Sequence, residues 1–248
     1  MEVLILALAG SATALATGLG AIPVSHLGER ADELRPALWG LTVGLMTVAS
    51  IVGLLLPALD EGSTTSVIAG LAVGVLFLLG SRRQLEGRDI HVGNLSGTGV
   101  RRSVLVFAVL LVHSLPEGFA IGTAYASDTA GLGLFVILAI ALQNIPEGTS
   151  VAIPMEAAGF SRTQQFWAAV ATSVPQPVGA LLAYALVQEV ESLLPFSFAF
   201  AAGAMLALVV VELAPQTYKR DTLPTALAGT VAGAASMLIL AAVLGVEN

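Results

Sequence analysis

The sequence predicts an all-α, polytopic membrane protein with eight transmembrane helices. Of its 248 residues, 56% are hydrophobic and only 11% are charged, which is too apolar for a soluble domain of this length. The apolar residues form runs long enough to cross a bilayer as helices. The basic residues fall only in alternate connections between these runs, as they do in multi-pass proteins.

The eight predicted spans follow one another along a single transmembrane domain, residues 1–248. The first run starts directly after Met1-Glu2, without the basic segment of a secretory signal, so we expect it to be a retained membrane helix. The third run is short and Pro215 interrupts the seventh, so seven spans are the alternative to eight. The predicted spans are residues 2–24, 36–58, 65–80, 102–125, 130–154, 163–187, 196–214 and 224–245.

The longest connection, residues 81–100, is rich in glycine and arginine, and we expect it to be a flexible cytoplasmic loop that divides three spans from five. By the positive-inside rule, the connections that carry all ten basic residues are cytoplasmic, and both termini are extracellular. This arrangement requires an even number of spans, which favours eight. The basic residues are Arg30, Arg35, Arg82, Arg83, Arg88, Arg101, Arg102, Arg162, Lys219 and Arg220.

The opposite connections carry only acidic charges, which would concentrate cations outside the cell membrane or simply form a solvated surface. The net charge of -7 argues against nucleic acid as a partner. The acids are Asp60, Glu61, Asp128, Glu189 and Glu191.

The fourth and fifth runs each contain polar residues near their middle. His113 and Glu117 are four residues apart, as are Gln143 and Glu147, so each pair shares one helix face. Ionisable groups at membrane depth are costly and therefore indicate a functional site. Imidazole and carboxylate ligands suit zinc and also accept iron, manganese or cobalt. Hydrogen-bonded contacts between helices are the purely structural alternative.

The two polar segments resemble each other, since residues 115–122 align with residues 145–152 and share Pro-Glu-Gly. Their spans run antiparallel, which predicts an inverted repeat with its site at the membrane midplane. Pro116 and Pro146 lack an N–H, so the carbonyls of Val112 and Leu142 lose their helical partners.

Through the segments His113-Ser-Leu-Pro-Glu-Gly and Gln143-Asn-Ile-Pro-Glu-Gly, the sequence resembles the ZIP (ZRT/IRT-like) family of divalent metal-ion transporters, in particular its prokaryotic-type members. That family has eight spans, a His-Asn-x-Pro-Glu-Gly motif in the fourth and a matching Pro-Glu motif in the fifth. Weaker similarity extends over residues 19–23, 44–57, 176–180 and 200–205.

The resemblance implies two adjacent metal positions that share Glu147. The second position departs from the family pattern, because serine replaces asparagine in span four and glutamine replaces a glutamate in span six. We therefore expect the first position to hold one ion strongly and the second to be vacant or only transiently occupied. The first position maps onto Met46, His113, Glu117, Gln143 and Glu147, and the second onto Ser114, Asn144, Gln176 and Glu147.

The resemblance also implies a secondary transporter that moves divalent metal into the cytosol, with zinc expected first and iron, manganese, cobalt or cadmium as alternatives. A metal-selective channel and a metal-binding sensor or scaffold without flux are the competing hypotheses. An enzyme is not expected, because no His-Glu-x-x-His sequence occurs. The expected partners are metal ions and the lipid bilayer, and the small-residue patterns suit packing within one chain or in a homodimer.

Overall fold

In the computed structural model, eight helical segments are long and apolar enough to cross a membrane. The structure describes residues 1–27, 31–86 and 98–246, and this part of the chain contains no β-strand. Helices satisfy their backbone groups internally, as a bilayer requires. The predicted fold class, an all-α polytopic membrane protein with eight spans, is confirmed. The spans are Glu2–Val24, Glu33–Glu61, Thr64–Gln84, Phe107–Ala126, Leu132–Ala157, Arg162–Glu189, Glu191–Thr217 and Arg220–Leu244.

Several spans consist of more than one helix. The α-helices α1 to α12 of the described residues are, in chain order, Glu2–Leu19, Ala21–Leu27, Ala31–Ser50, Leu56–Glu61, Thr64–Glu86, Thr98–Ala126, Leu132–Ala157, Arg162–Thr172, Pro175–Glu189, Leu194–Leu208, Ala214–Thr217 and Leu223–Leu244.

Helix reaches into both ends of the segment that the sequence predicted to be a loop, residues 81–100. Helix α5 continues to Glu86 and α6 begins at Thr98, while residues 87–97 lie outside the described part of the chain. The prediction from hydropathy ended the third span at residue 80, just before the first arginines of the connection. Arginine, glutamine, leucine and glutamate are nevertheless good helix formers, and arginine can reach water from a helix end.

Span six is divided near its centre. Its first helix begins with a capping box, in which Ser161 and Gln164 satisfy each other's backbone amides. The helix ends at Thr172, because Pro175 has no N–H to continue the ladder and instead occupies the first turn of α9. The break places Ser173 and Gln176 beside span one, where both side chains are buried.

The spans pack mainly in four pairs: two with eight, three with seven, four with six, and one with five. The same four pairs result if span one is exchanged with span six, two with seven, three with eight, and four with five. This is the pattern of contacts that an inverted repeat produces.

Spans two and seven each contain one π-helical turn, Ile51–Leu55 and Val209–Leu213. A proline follows two residues after each turn, at Pro57 and Pro215. Pro215 cannot pair with the carbonyl of Val211, and Arg82 of span three donates a hydrogen bond to that carbonyl at 3.3 Å. Arg82 also pairs with Glu212, with 3.6 Å between Nε and Oε2. Gln216 Nε2 donates a hydrogen bond of 2.9 Å to Glu212 Oε1, so Glu212 is both hydrogen-bonded and ion-paired at the end of its span.

Candidate metal centre

Helices α6 and α7 bring three ionisable side chains together inside the bundle. His113 and Glu117 lie one turn apart on α6, and Glu147 comes from α7. One nitrogen or oxygen of each lies within 4.8 Å of the others, and the side chains are only 4%, 0% and 5% exposed. Among the residues that the structure describes, this is the one cluster of its kind. The two polar motifs of the sequence therefore meet in space.

Several buried atoms in and beside this cluster have no hydrogen-bond partner among the residues that the structure describes. They are both imidazole nitrogens of His113, Oε1 of Glu147 and Oε1 of Gln143. His113 Nε2 lies 3.8 Å from Glu147 Oε2, which is too long for a hydrogen bond. Buried polar atoms are rarely left unpaired. Imidazole nitrogen, carboxylate oxygen and amide oxygen are all donors that a divalent ion accepts, so the residues present fit a metal ion.

Glu117 is held differently from Glu147. Its Oε1 accepts a hydrogen bond of 2.8 Å from Gln143 Nε2, and its Oε2 accepts one of 2.7 Å from Gln176 Nε2. Hydrogen bonds to a charged acceptor are among the stronger ones in proteins. The two amides therefore fix the plane of the Glu117 carboxylate, with one oxygen toward span five and the other toward span six.

A second polar network adjoins the cluster on the side of spans one and six. Gln176 Oε1 accepts hydrogen bonds from Thr13 Oγ1 at 2.8 Å and from Asn144 Nδ2 at 3.1 Å. Thr17 and Ser173 share a further hydrogen bond of 2.7 Å. These side chains are all at most 1% exposed. Side chains of spans one, four, five and six thus meet at one point.

The residues that the resemblance assigns to the two metal positions differ in whether they contact this polar network. Asn144 and Gln176 are in direct contact, whereas Ser114 donates its hydroxyl to the carbonyl of Leu110 on its own helix. Met46 is completely buried in span two, within the main apolar core. Its role as a sulfur ligand stays a prediction.

The glycine of each Pro-Glu-Gly segment allows the helices to approach closely beside the cluster. A Cβ atom on Gly148 would lie 1.7 Å from the carbonyl oxygen of Thr17 in span one. A Cβ atom on Gly118 would lie 2.2 Å from the carbonyl oxygen of Gln176 in span six. Small residues permit such contact between membrane helices. The same segments that supply the carboxylates therefore also set the positions of spans one and six.

Comparison with known protein sequences identifies the family to which this chain belongs. The family model described as ZIP zinc transporter matches residues 80–241, which include the whole cluster. The chain belongs to the ZIP family. Its predicted membership is thereby confirmed.

Three relatives illustrate how far the similarity to other ZIP proteins extends. The zinc transporter GufA of Myxococcus xanthus is 32% identical over 245 residues, which cover 93% of this chain and 95% of GufA. The zinc transporter ZIPB of Bordetella bronchiseptica is 34% identical over 256 residues, covering 96% of this chain and 81% of ZIPB. The At3g08650 protein of Arabidopsis thaliana is 34% identical over 215 residues, but the match covers only 34% of that protein.

Membership of the ZIP family groups the chain with transporters rather than enzymes, as the sequence predicted. Sequence analysis missed Thr13, Thr17 and Ser173 as parts of the polar network around the centre. A signal was present, because Thr13 and Thr17 are four residues apart in a largely apolar span and share a helix face. Ser173 carried no comparable signal, since only the break in span six brings it to span one.

Proposed function

We propose that the chain is a secondary transporter that carries divalent metal, zinc first, across the cell membrane into the cytosol. The observation that carries this proposal is the buried cluster of His113, Glu117 and Glu147 inside a chain of the ZIP family, in which His113 and Glu147 have atoms without a hydrogen-bond partner among the described residues. The site on spans four and five would hold the ion during its passage.

The choice of zinc has two supports. The bacterial relatives that this chain matches over most of its length carry the names of zinc transporters. Imidazole and carboxylate are also common zinc ligands in proteins. The same donors accept iron, manganese, cobalt and cadmium, so these ions are the natural competitors in a selectivity assay.

The inward direction of transport is proposed from the family resemblance, and the orientation of the chain in the membrane is proposed from the distribution of charge. The basic connections would lie in the cytosol and the acidic ones outside, with both termini extracellular. Glu61 and Glu191 line one cavity of about 450 Å³ at the proposed outer end. Two carboxylates there would raise the local concentration of a cation before it enters.

The residues of the centre would act together on the ion. Glu117 and Glu147 would neutralise its double charge, which reduces the cost of holding it away from water. His113 and the amide oxygen of Gln143 would complete the donor set, and Met46 would add sulfur if span two approaches. The ligands bind metal only when deprotonated, so protons would compete with it. Movement of spans four and five against their neighbours would expose the site alternately to each side.

The experiment that tests the proposal is zinc uptake into proteoliposomes that contain wild type or Glu147→Gln. The substitution removes one negative charge and replaces one carboxylate oxygen by an N–H group, which repels a cation, but it keeps the shape of the side chain. Saturable uptake should therefore fall to the background of empty liposomes. Glu156→Gln is the matched control. Glu156 lies on the same helix but binds Gln165 rather than the cluster, so uptake should be retained.

Each competing hypothesis predicts a different result for zinc binding and uptake. Uptake by Glu147→Gln at the wild-type rate would contradict the site. Tight zinc binding by wild type without flux would favour a sensor or scaffold. Rapid flux that does not saturate with zinc concentration would favour a channel over a carrier.

A further inference from the structure

The position next to the metal cluster, where a second ion would lie in the pattern that the sequence resembles, is filled by a side chain. We propose that the carboxamide of Gln176 takes the place of a second cation in this chain. Its amide N–H group donates a hydrogen bond that positions the carboxylate of Glu117, and its amide oxygen accepts hydrogen bonds from Thr13 and Asn144. Gln176 is therefore a positioning residue that makes this a one-ion protein. This inference rests on the proposed function of the cluster.

The contacts of Gln176 are those expected of a bridging group. Its Nε2 lies 2.7 Å from Glu117 Oε2 and 3.3 Å from Asn144 Oδ1, so the amide hydrogens point at two oxygens from two different spans. A cation at this point would attract the same two oxygens. The N–H dipole does so with partial positive charge and without bringing a net charge into the bundle.

The other end of Gln176 would not suit a metal ion in this role. Its Oε1 already accepts hydrogen bonds from Thr13 Oγ1 and Asn144 Nδ2. Thr13 and Asn144 thus present hydrogen atoms, not lone pairs, to the oxygen of Gln176. The network is complete without an ion, which distinguishes it from the first position, where His113 and Glu147 retain unpaired atoms.

The backbone fixes Gln176 at this place. The carbonyl and Cα of Gln176 lie against Gly118, where a Cβ atom would be 2.2 Å from the carbonyl oxygen. Because Gly118 directly follows Glu117, the donor on span six and the acceptor on span four are held at nearly fixed separation. The hydrogen bond therefore requires no rearrangement of the helices.

The number of bound ions tests the inference. Purified protein in detergent is equilibrated with zinc at neutral pH, and bound zinc is counted per chain by equilibrium dialysis and elemental analysis. Wild type should bind one ion. Gln176→Glu replaces the donor by a second carboxylate beside Glu117, and such a pair is stable only with a cation or a proton between its oxygens. Gln176→Glu combined with Asn144→Asp should therefore bind two ions.

Gln165→Glu is the matched control. Gln165 is also a fully buried glutamine of span six, and its Nε2 likewise donates to a carboxylate, that of Glu156. This variant also places two carboxylates side by side, but away from the cluster and next to the partly exposed Glu156, where a proton or water can relieve the repulsion. It should therefore bind only the one ion of the cluster. Two ions bound by Gln165→Glu would overturn the inference, because any added carboxylate would then have the same effect.

A second variant keeps the test decisive if the double variant does not fold. Gln176→Met preserves the volume of the side chain but removes its N–H group, so Glu117 loses one positioning donor. Zinc should still bind at one ion per chain, with at least tenfold weaker affinity. Unchanged affinity of this variant, or two ions bound by wild type, would overturn the inference. Failure of wild type to bind any zinc would instead overturn the proposed function.

Discussion

At the scale of single residues, the two glutamates of the centre have different environments. Both oxygens of Glu117 accept hydrogen bonds from amides, whereas Oε1 of Glu147 has no partner among the described residues. In the proposed site, Glu147 would offer its lone pairs to an ion directly, while Glu117 would contribute charge in a fixed orientation. The two motifs share Pro-Glu-Gly, so the difference comes from the donors around Glu117, which are Gln143 of the fifth-span motif and Gln176 of span six.

Gln143 should contribute to zinc affinity in two ways. Its Nε2 orients Glu117, and its unpaired Oε1 is available to the ion. We expect Gln143→Leu to lose a hydrogen bond to a charged group, worth about 1.5–3 kcal/mol. Zinc affinity, measured by isothermal titration calorimetry, should fall roughly tenfold to a hundredfold.

Thr123→Val provides the comparison for Gln143→Leu. Thr123 is fully buried on span four, and in the described part of the chain its hydroxyl has no hydrogen-bond partner. Replacing it by valine removes a buried polar atom outside the cluster, so zinc affinity should not change. Equal loss of affinity in both variants would show that packing, rather than Gln143, determines binding.

At the scale of helices, the contact between spans one and five depends on a glycine. The Cβ atom of Gly148→Ala would meet the backbone of span one, which cannot move aside as a side chain can. Overpacking of this kind costs about 1–3 kcal/mol or more. The variant should unfold at lower temperature than wild type in a detergent-based thermal-shift assay without zinc.

The same assay needs an alanine substitution that meets no neighbour. Gly80 lies in span three, and no atom of the described residues comes within 4 Å of its Cβ position, so Gly80→Ala should leave the unfolding temperature unchanged or raise it slightly. A normal unfolding temperature for Gly148→Ala would mean that spans one and five separate easily.

The type of interruption that each helix contains could not be predicted from the sequence. Pro57 and Pro215 marked places where the backbone ladder must change, but proline does not specify whether a helix ends, kinks or widens into a π-turn. In span seven the outcome depends on Arg82, which is 129 residues from the carbonyl that it binds. Such a contact has no local signature.

At the scale of the whole molecule, the charge distribution makes a prediction about orientation. The chain has no cysteine, so single cysteines can be introduced without background. We expect Asp128→Cys to react with a membrane-impermeant maleimide added to intact cells. Arg162→Cys should react only after the membrane is permeabilised, because its connection would be cytoplasmic.

A reversed labelling pattern would contradict the proposed orientation. Equal labelling of both cysteines in intact cells would instead indicate leaky membranes. A cytoplasmic control protein with a known free cysteine separates these two cases.

Much of this molecule could be predicted because a bilayer imposes strong rules. Hydropathy located eight spans, and the cost of burying charge singled out His113, Glu117 and Glu147 as a group. The surroundings of Glu117 could not be predicted in the same way. They depend on Gln176 and Thr13, whose positions follow from packing between distant spans and from the break in span six.

The polar network has a consequence for the order in which the chain is made. Thr13 and its acceptor Gln176 are 163 residues apart. During synthesis, span one enters the membrane long before span six exists, and its threonines must meanwhile bond to their own helix, as Thr13 does to the carbonyl of Gly10. The polar network beside the proposed metal site can therefore be completed only after span six has left the ribosome. A chain truncated after span five would contain all three ionisable residues of the cluster and yet lack the group that orients Glu117.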